Sequence, residues 1–113
     1  MDQLVSVKAH LFNDPEVLRH VINERVAKGA ALLDERVPDW ASKISLEELD
    51  FNGIGRDIFQ QVFETDDMNE AANALSINGD EVFFGFLPPG SVTLNDRAIL
   101  KETWAREITA RLQ

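Results

Sequence analysis

Apolar residues recur every three or four positions near both ends of the chain, which predicts two long amphipathic helices. The first helix begins at Pro15, a residue suited to the first helical position, with Asn13 or Asp14 as its N-cap. It runs to about Arg36 and must stop before Pro38. Its predicted core-facing residues are Leu18, Ile22, Val26, Leu32 and Leu33.

The second long helix follows residues 93–96, where a threonine and an aspartate stand three positions apart in the pattern of a capping box. Apolar residues then recur at every fourth position. Because this spacing keeps side chains on one face of a helix, they predict its buried stripe. The stripe consists of Leu100, Trp104, Ile108 and Leu112.

Between the long helices the pattern predicts short elements. One helical turn contains Trp40 and Ile44, both of which we expect to face the core, and residues 45–48 read as another capping box. A helix is expected near residues 55–64, because apolar side chains pair there four positions apart. They are Ile58, Phe59, Val62 and Phe63.

The following helix is capped by Asp66 or Asp67 and ends at Asn78-Gly79, a pair that tolerates the left-handed conformation. Its inner side consists of Met68, Ala71, Ala72 and Leu75. Residues 82–87 form a short apolar run that periodicity assigns neither to helix nor to strand.

Residues 3–9 alternate loosely between apolar and polar, so residues 1–12 are expected to form a short strand or an extended arm. With 113 residues there is room for one domain. The pattern therefore predicts a single all-α domain over residues 1–113, an irregular helical bundle in which two long terminal helices enclose several short ones.

The charge of the chain is strongly segregated. Residues 47–81 contain ten acidic residues and one basic residue, Arg56, and so account for the net charge of −9. The negative electrostatic field of these residues repels nucleic acid, so direct nucleic-acid binding is not expected. Helix capping and solubility explain many of these acids, but they could also form one acidic face. The candidates for that face are Glu47, Glu48, Asp50, Glu64, Asp66, Asp67 and Glu70.

Composition excludes several kinds of site. The chain has no cysteine, which rules out disulfides and thiolate metal sites. His10 and His20 do not have metal-ligand spacing, no EF-hand or phosphate-binding loop occurs, and no cofactor is expected. Without a long apolar run or a signal-peptide pattern, we expect no membrane association and a cytoplasmic location.

Three aromatic residues occur within four positions, at Phe83, Phe84 and Phe86. Whether this run is helix or strand, at least one of the three should point away from the core. An exposed aromatic side chain would be a contact site for another protein or for a second copy of the chain. The alternative is that all three side chains pack in the core.

Residues 26–51 resemble a family of small uncharacterised proteins from actinobacteria and their phages. The matching pattern is Gly-Ala-x-Leu-Leu-Asp-Glu from Gly29, then Pro38, Trp40 and Ile44, then Leu46, Leu49 and Asp50. Weaker landmarks extend the resemblance to about residue 110. Members of that family tend to carry cysteine before the Gln61-Val62 pair, which this chain lacks. The resemblance implies a phage or prophage setting and no particular reaction.

The leading hypothesis is therefore a non-enzymatic protein that binds another protein or itself, as a phage or prophage accessory protein. One alternative is an acidic mimic of nucleic acid that inhibits a DNA- or RNA-binding protein of the host, which requires the acids of residues 47–81 to share one exposed face. The other is a small enzyme with a pair of carboxylates in a pocket.

Overall fold

The computed structural model describes residues 14–51, 57–65, 67–88 and 96–113. These residues form four α-helices and two 3₁₀ helices, without a strand among them, which confirms the all-α class. We name the α-helices α1 (Pro15–Arg36), α2 (Ile58–Phe63), α3 (Met68–Leu75) and α4 (Asp96–Leu112), and the 3₁₀ helices η1 (Trp40–Lys43) and η2 (Glu81–Phe84).

Several predictions fall outside the described residues. These are the strand or arm of residues 1–12, the histidine His10, the threonine of the 93–96 capping box, and Asp66. Within the described parts, no helix combines the length and the apolar character needed to cross a bilayer.

Helix α1 has the predicted limits because both of its ends are satisfied locally. The carboxylate of Asp14 accepts a hydrogen bond from the amide of Glu16, at 3.0 Å, and Pro15 occupies the first helical position. The helix ends where Val37 leaves the helical conformation and donates its amide to Leu33, ahead of Pro38. The core-facing residues of α1 are Leu18, Ile22, Val26, Gly29, Ala30 and Leu33.

Helix α4 packs along α1 in the same direction. Arg19 near the start of α1 meets Glu102, at 3.3 Å, whereas Asp34 near its end meets Arg111. The predicted stripe is correct for Leu100, Trp104 and Ile108, which are all buried. It is wrong for Leu112, which is 55% exposed. Each step of four residues rotates the side chain by about 40°, so after three steps the stripe has turned away from α1.

Helix α2 begins later than predicted, at Ile58 rather than near residue 55. Asp57 has an extended backbone and its carboxylate accepts a hydrogen bond from the amide of Gln60, at 2.9 Å. It is therefore the N-cap and stands outside the helix. The predicted inner residues Ile58, Phe59 and Val62 are buried.

Helix α3 ends earlier than predicted, at Leu75 rather than at Asn78-Gly79. Ser76 takes the left-handed conformation, with φ of 60°, and the amide of Ile77 then bonds to the carbonyl of Ala72. This arrangement turns Ile77 into the core, where it is 5% exposed. Burial of Ile77 therefore stops the helix one turn early.

The two tryptophans lie at the centre of the core, as the sequence predicts, and both are fully buried. The edge of one ring meets the face of the other, with centroids 5.7 Å apart. The single turn expected around Trp40 is the 3₁₀ helix η1. Trp40 and Trp104 thereby join η1, which follows α1, to the middle of α4.

Candidate protein-contact surface

The three clustered phenylalanines have different environments. Phe86 is 2% exposed and packs between Phe59 and Trp104, so it belongs to the core and its prediction as a contact residue is wrong. Phe84 is half-buried against the core, whereas Phe83 is 56% exposed. Phe83 and Phe84 belong to η2, in which successive side chains point about 120° apart, so the two cannot face the same side. The expectation that one aromatic faces away from the core is met by Phe83.

Helix η2 is held close to α1 by two glycines. A Cβ atom on Gly29 would lie 2.1 Å from the carbonyl oxygen of Phe84, and one on Gly85 would lie 2.8 Å from the backbone of Val26. Gly85 also has a φ of 75°, which side chains rarely adopt. The indole of Trp104 donates a buried hydrogen bond of 2.7 Å to the Gly85 carbonyl. Phe83 therefore projects from a rigid base.

The sequence pattern does not predict this role for either glycine. Gly29 interrupts the apolar face of α1, and Gly85 lies inside the aromatic run. A glycine within an otherwise helical pattern is a general signal of close packing, but which backbone approaches it is a tertiary property.

Arg25 covers part of the Phe83 ring. Its guanidinium carbon lies 5.0 Å from the ring centroid, a cation–π distance, and burial lowers the pKa of this arginine. On α1, Val21, Arg25 and Lys28 are neighbours at spacings of four and three, so they lie along one flank of the helix. Val21 and Arg25 are half-buried and Lys28 is exposed. We call Phe83, Val21, Arg25 and Lys28 the Phe83 patch.

The same flank of α1 continues to Leu32 and Arg36 at steps of four, and Glu24 and Glu35 lie next to Lys28 on its solvent side, at spacings of four and seven. The opposite flank faces α4, where Asn23 accepts a hydrogen bond from Arg106 at 3.0 Å. The Phe83 patch is therefore apolar at its centre, with charged residues of both signs around it.

The residues predicted to form an acidic face belong to different local structures. Glu47 and Glu48 are exposed on a turn before α2, Asp50 is half-buried, and Glu64 is exposed after α2. Asp67 caps α3 through the amides of Asn69 and Glu70. The Glu70 carboxylate accepts a hydrogen bond from Thr65 at 3.1 Å, and that hydroxyl accepts one from the amide of Asp67. Asp67 and Glu70 thus order the start of α3, which gives no support to the acidic mimic.

An ion pair connects the C-terminal ends of α1 and α4. Two nitrogens of Arg111 donate to both carboxylate oxygens of Asp34, at 2.8 and 2.7 Å, and the indole of Trp40 donates to the same carboxylate at 2.8 Å. The hydrogen bonds from Arg111 hold the pKa of Asp34 below its usual value, and those to Asp34 and Glu107 raise the pKa of Arg111. Each shift has a structural explanation, so these groups do not indicate a catalytic site.

Two adjoining shallow cavities, of about 410 and 270 Å³, lie along α4. Ala105 and Thr109 contribute to the larger cavity, Asn23 and Thr103 to the smaller, and Arg106 to both. No group of three or more metal-ligating side chains is present anywhere in the described residues. His20 is exposed on α1 and lies 3.3 Å from Glu24, one turn away. The walls of the larger cavity are mostly apolar, and neither cavity gathers a group of metal-ligating side chains from the described residues.

Comparison of the chain with protein-family models, with curated proteins and with solved structures finds no match among any of them.

Proposed function

We propose that this protein acts by binding another protein chain, and that the Phe83 patch is the contact surface. The observation that carries the proposal is the 56% exposure of Phe83 on a base fixed by close backbone packing. The setting we propose is the one implied by the sequence resemblance, a phage or prophage accessory protein acting in the cytoplasm.

Preorganisation supports a binding role for this surface. A large apolar side chain in water gains free energy when a partner covers it, by roughly 25 cal/mol for each Å² of apolar surface removed from water. Because η2 is packed against Gly29 and tied to Trp104, little conformational freedom remains to be lost on binding. Aromatic side chains and arginine are also the residue types that most often dominate binding energy at protein interfaces.

The proposal is tested by placing a photo-crosslinking phenylalanine analogue at position 83 and irradiating the protein in a lysate of the source organism. A matched sample carries the analogue at Leu112, which is equally exposed on α4 but lies outside the patch. We expect a crosslinked product that forms at position 83 and not at position 112. The binding affinity of the purified partner is then measured by titration calorimetry.

We expect Phe83→Ala to weaken that binding about tenfold or more, as loss of a central aromatic contact does, while Leu112→Ala leaves it unchanged. The same crosslinks at both positions, or equal affinities for the two variants, would contradict the proposal. Circular dichroism melting curves of both variants control for unfolding.

A further inference from the structure

The turn between α3 and η2 exposes an asparagine that is followed by a glycine. The amide of Asp80 donates to the carbonyl of Ile77, at 2.8 Å, and closes a turn around the two residues between them. Gly79 has a φ of 89°, whereas Asn78 is not among the described residues with a positive φ, which is the combination of a type II turn. Both central residues are exposed. The Asn78-Gly79 pair therefore lies at the surface, between two helices.

The backbone nitrogen of Gly79 is accessible. Its amide makes no hydrogen bond within the part of the chain that the structure describes, and a Cβ atom built on this glycine would meet no other atom within 4 Å. The side chain of Asn78 has one restraint, because its nitrogen donates to the side-chain oxygen of Asn73 on α3. This hydrogen bond is itself exposed to solvent. An unhindered nitrogen and an asparagine side chain thus stand on neighbouring residues.

We propose that Asn78 is a site of spontaneous deamidation, a covalent modification that consumes water and releases ammonia. The backbone nitrogen of Gly79 loses its proton and attacks the side-chain carbonyl carbon, Cγ, of Asn78. The side-chain nitrogen takes up a proton and leaves as ammonia, which closes a succinimide ring. Water then opens the ring. Attack at Cγ gives aspartate, and attack at the main-chain carbonyl carbon gives isoaspartate.

Glycine in the following position makes this ring closure accessible. Asparagine is among the chemically labile residues of proteins, and a glycine without a Cβ atom lets its nitrogen approach Cγ from backbone conformations that other residues do not adopt. Asn23, Asn69 and Asn73 lie inside α-helices, where the backbone is held in one conformation, and none of them precedes a glycine. Among these described asparagines and Asn78, the sequence and the fold therefore single out Asn78.

Deamidation changes the turn in two ways. A carboxylate at position 78 adds negative charge just after the C-terminal end of α3, where the helix dipole is already negative, and close to Asp80 and Glu81. Isoaspartate also lengthens the main chain by one carbon atom between Ile77 and Asp80, which removes the geometry of the turn hydrogen bond. The modification therefore alters the turn that leads into η2, and it does not depend on the proposed binding role.

Peptide mapping by mass spectrometry tests the proposal with the folded protein. The protein is kept in mildly alkaline buffer and digested with trypsin, and the converted fraction of Asn78 is followed over time. We expect conversion at Asn78 while Asn69 and Asn73, which lie in the same tryptic peptide, stay unchanged. Conversion should be slower in mildly acidic buffer, because the attacking amide must lose its proton. Cleavage after Arg56 places the other Asn-Gly pair, Asn52-Gly53, in a separate peptide.

Three variants show whether the observed contacts control the reaction. Asn73→Ala removes the acceptor of the Asn78 side chain and should speed conversion about two- to fivefold, the factor that corresponds to one exposed hydrogen bond. The control Asn69→Ala, at another exposed position of α3, should convert at the wild-type rate. Asn78→Gln should show no conversion at position 78, because its longer side chain would have to close a larger ring.

The rate in the urea-unfolded chain is the reference for the folded protein. Because surface turns open at little cost, we expect the folded protein to convert no more than about tenfold more slowly than the unfolded chain. A slower folded-state rate than this, or equal conversion at Asn69 and Asn73, would overturn the assignment of Asn78. An Asn73→Ala variant no faster than Asn69→Ala would overturn the restraining role of the contact with Asn73.

Discussion

Gly29 and Gly85 set the distance between α1 and η2. In place of a side chain, Gly29 admits the carbonyl oxygen of Phe84, and Gly85 admits the backbone of Val26. Their effect on function is indirect, since the close packing that they permit holds η2 in place and projects Phe83 into solvent. Residues without side chains thus position the residue that we propose makes the contact.

Gly29→Ala should lower the free energy of unfolding by about 3 kcal/mol, because the added methyl group would overlap a backbone oxygen that cannot move without displacing η2. Helix propensity acts in the opposite direction, since alanine favours a helix interior over glycine by about 1 kcal/mol. Urea denaturation gives the value. Ala27→Gly, at an exposed position of the same helix, calibrates propensity. A more stable Gly29→Ala variant would show that the packing is loose.

The stability of the short helices α2 and α3 depends on the residues at their ends more than on their length. Six residues in α2 and eight in α3 are too few to be stable as isolated helices. Asp57 and Asp67 supply side-chain acceptors at their starts, and Glu64 and Ser76 end them in the left-handed conformation. Burial of the inner faces then keeps the two helices folded.

The N-cap residue Asp57 makes the stability of the folded protein depend on pH. Burial raises the pKa of Asp57, and the hydrogen bonds from the amides of Gln60 and Phe59 oppose that shift only in part. The folded protein therefore favours the protonated carboxyl more than the unfolded chain does. Stability from this group is greatest below the unfolded pKa, near 4, and declines as the pH rises through the higher folded pKa.

Asp57→Asn keeps an acceptor oxygen for the cap and removes the charge. The variant should therefore gain stability relative to the wild type as the pH rises from about 4 to about 7. Denaturant unfolding at a series of pH values measures the difference. Asp57→Ala is the control, because it loses the cap and should be less stable by about 1 kcal/mol. A difference between Asp57→Asn and the wild type that does not vary with pH would contradict the raised pKa.

At the scale of the whole molecule, Trp104 joins several elements in one core. Its ring packs against Trp40 from η1 and stacks on Phe86, with centroids 5.4 Å apart in the second case. Its indole nitrogen donates to Gly85, which follows η2. The side chain of Trp104 therefore connects α4 to η1 and to the residues that follow η2.

Trp104→Phe should lower the free energy of unfolding by about 2–4 kcal/mol, because it leaves the Gly85 carbonyl without its indole donor and opens a cavity. Thermal melting followed by circular dichroism measures the loss. Phe83→Ala, at an exposed position, should change stability by no more than about 0.5 kcal/mol. Equal losses from the two substitutions would mean that Trp104 does not hold these elements together.

Much of the fold could be predicted from the sequence. The limits of α1, the position of α3, the buried stripe of α4 up to Ile108 and the burial of both tryptophans follow from apolar spacing and from capping residues. The predicted ends of helices are less accurate where tertiary contacts compete with local capping signals. Burial of Ile77 ends α3 before Asn78-Gly79, and the drift of the four-residue repeat brings Leu112 into solvent.

For the candidate site, the sequence alone determined where the aromatic run lies, and it left open whether one ring points outward or all three are buried. Only the tertiary structure decided that this ring is Phe83 and that Phe86 is buried. The reason is that η2 has no periodicity strong enough to orient it, so its rotation is set by the backbone contacts at Gly29 and Gly85. Local spacing determines which residues share a face of a long helix, whereas the packing partner determines which face of a short one is buried.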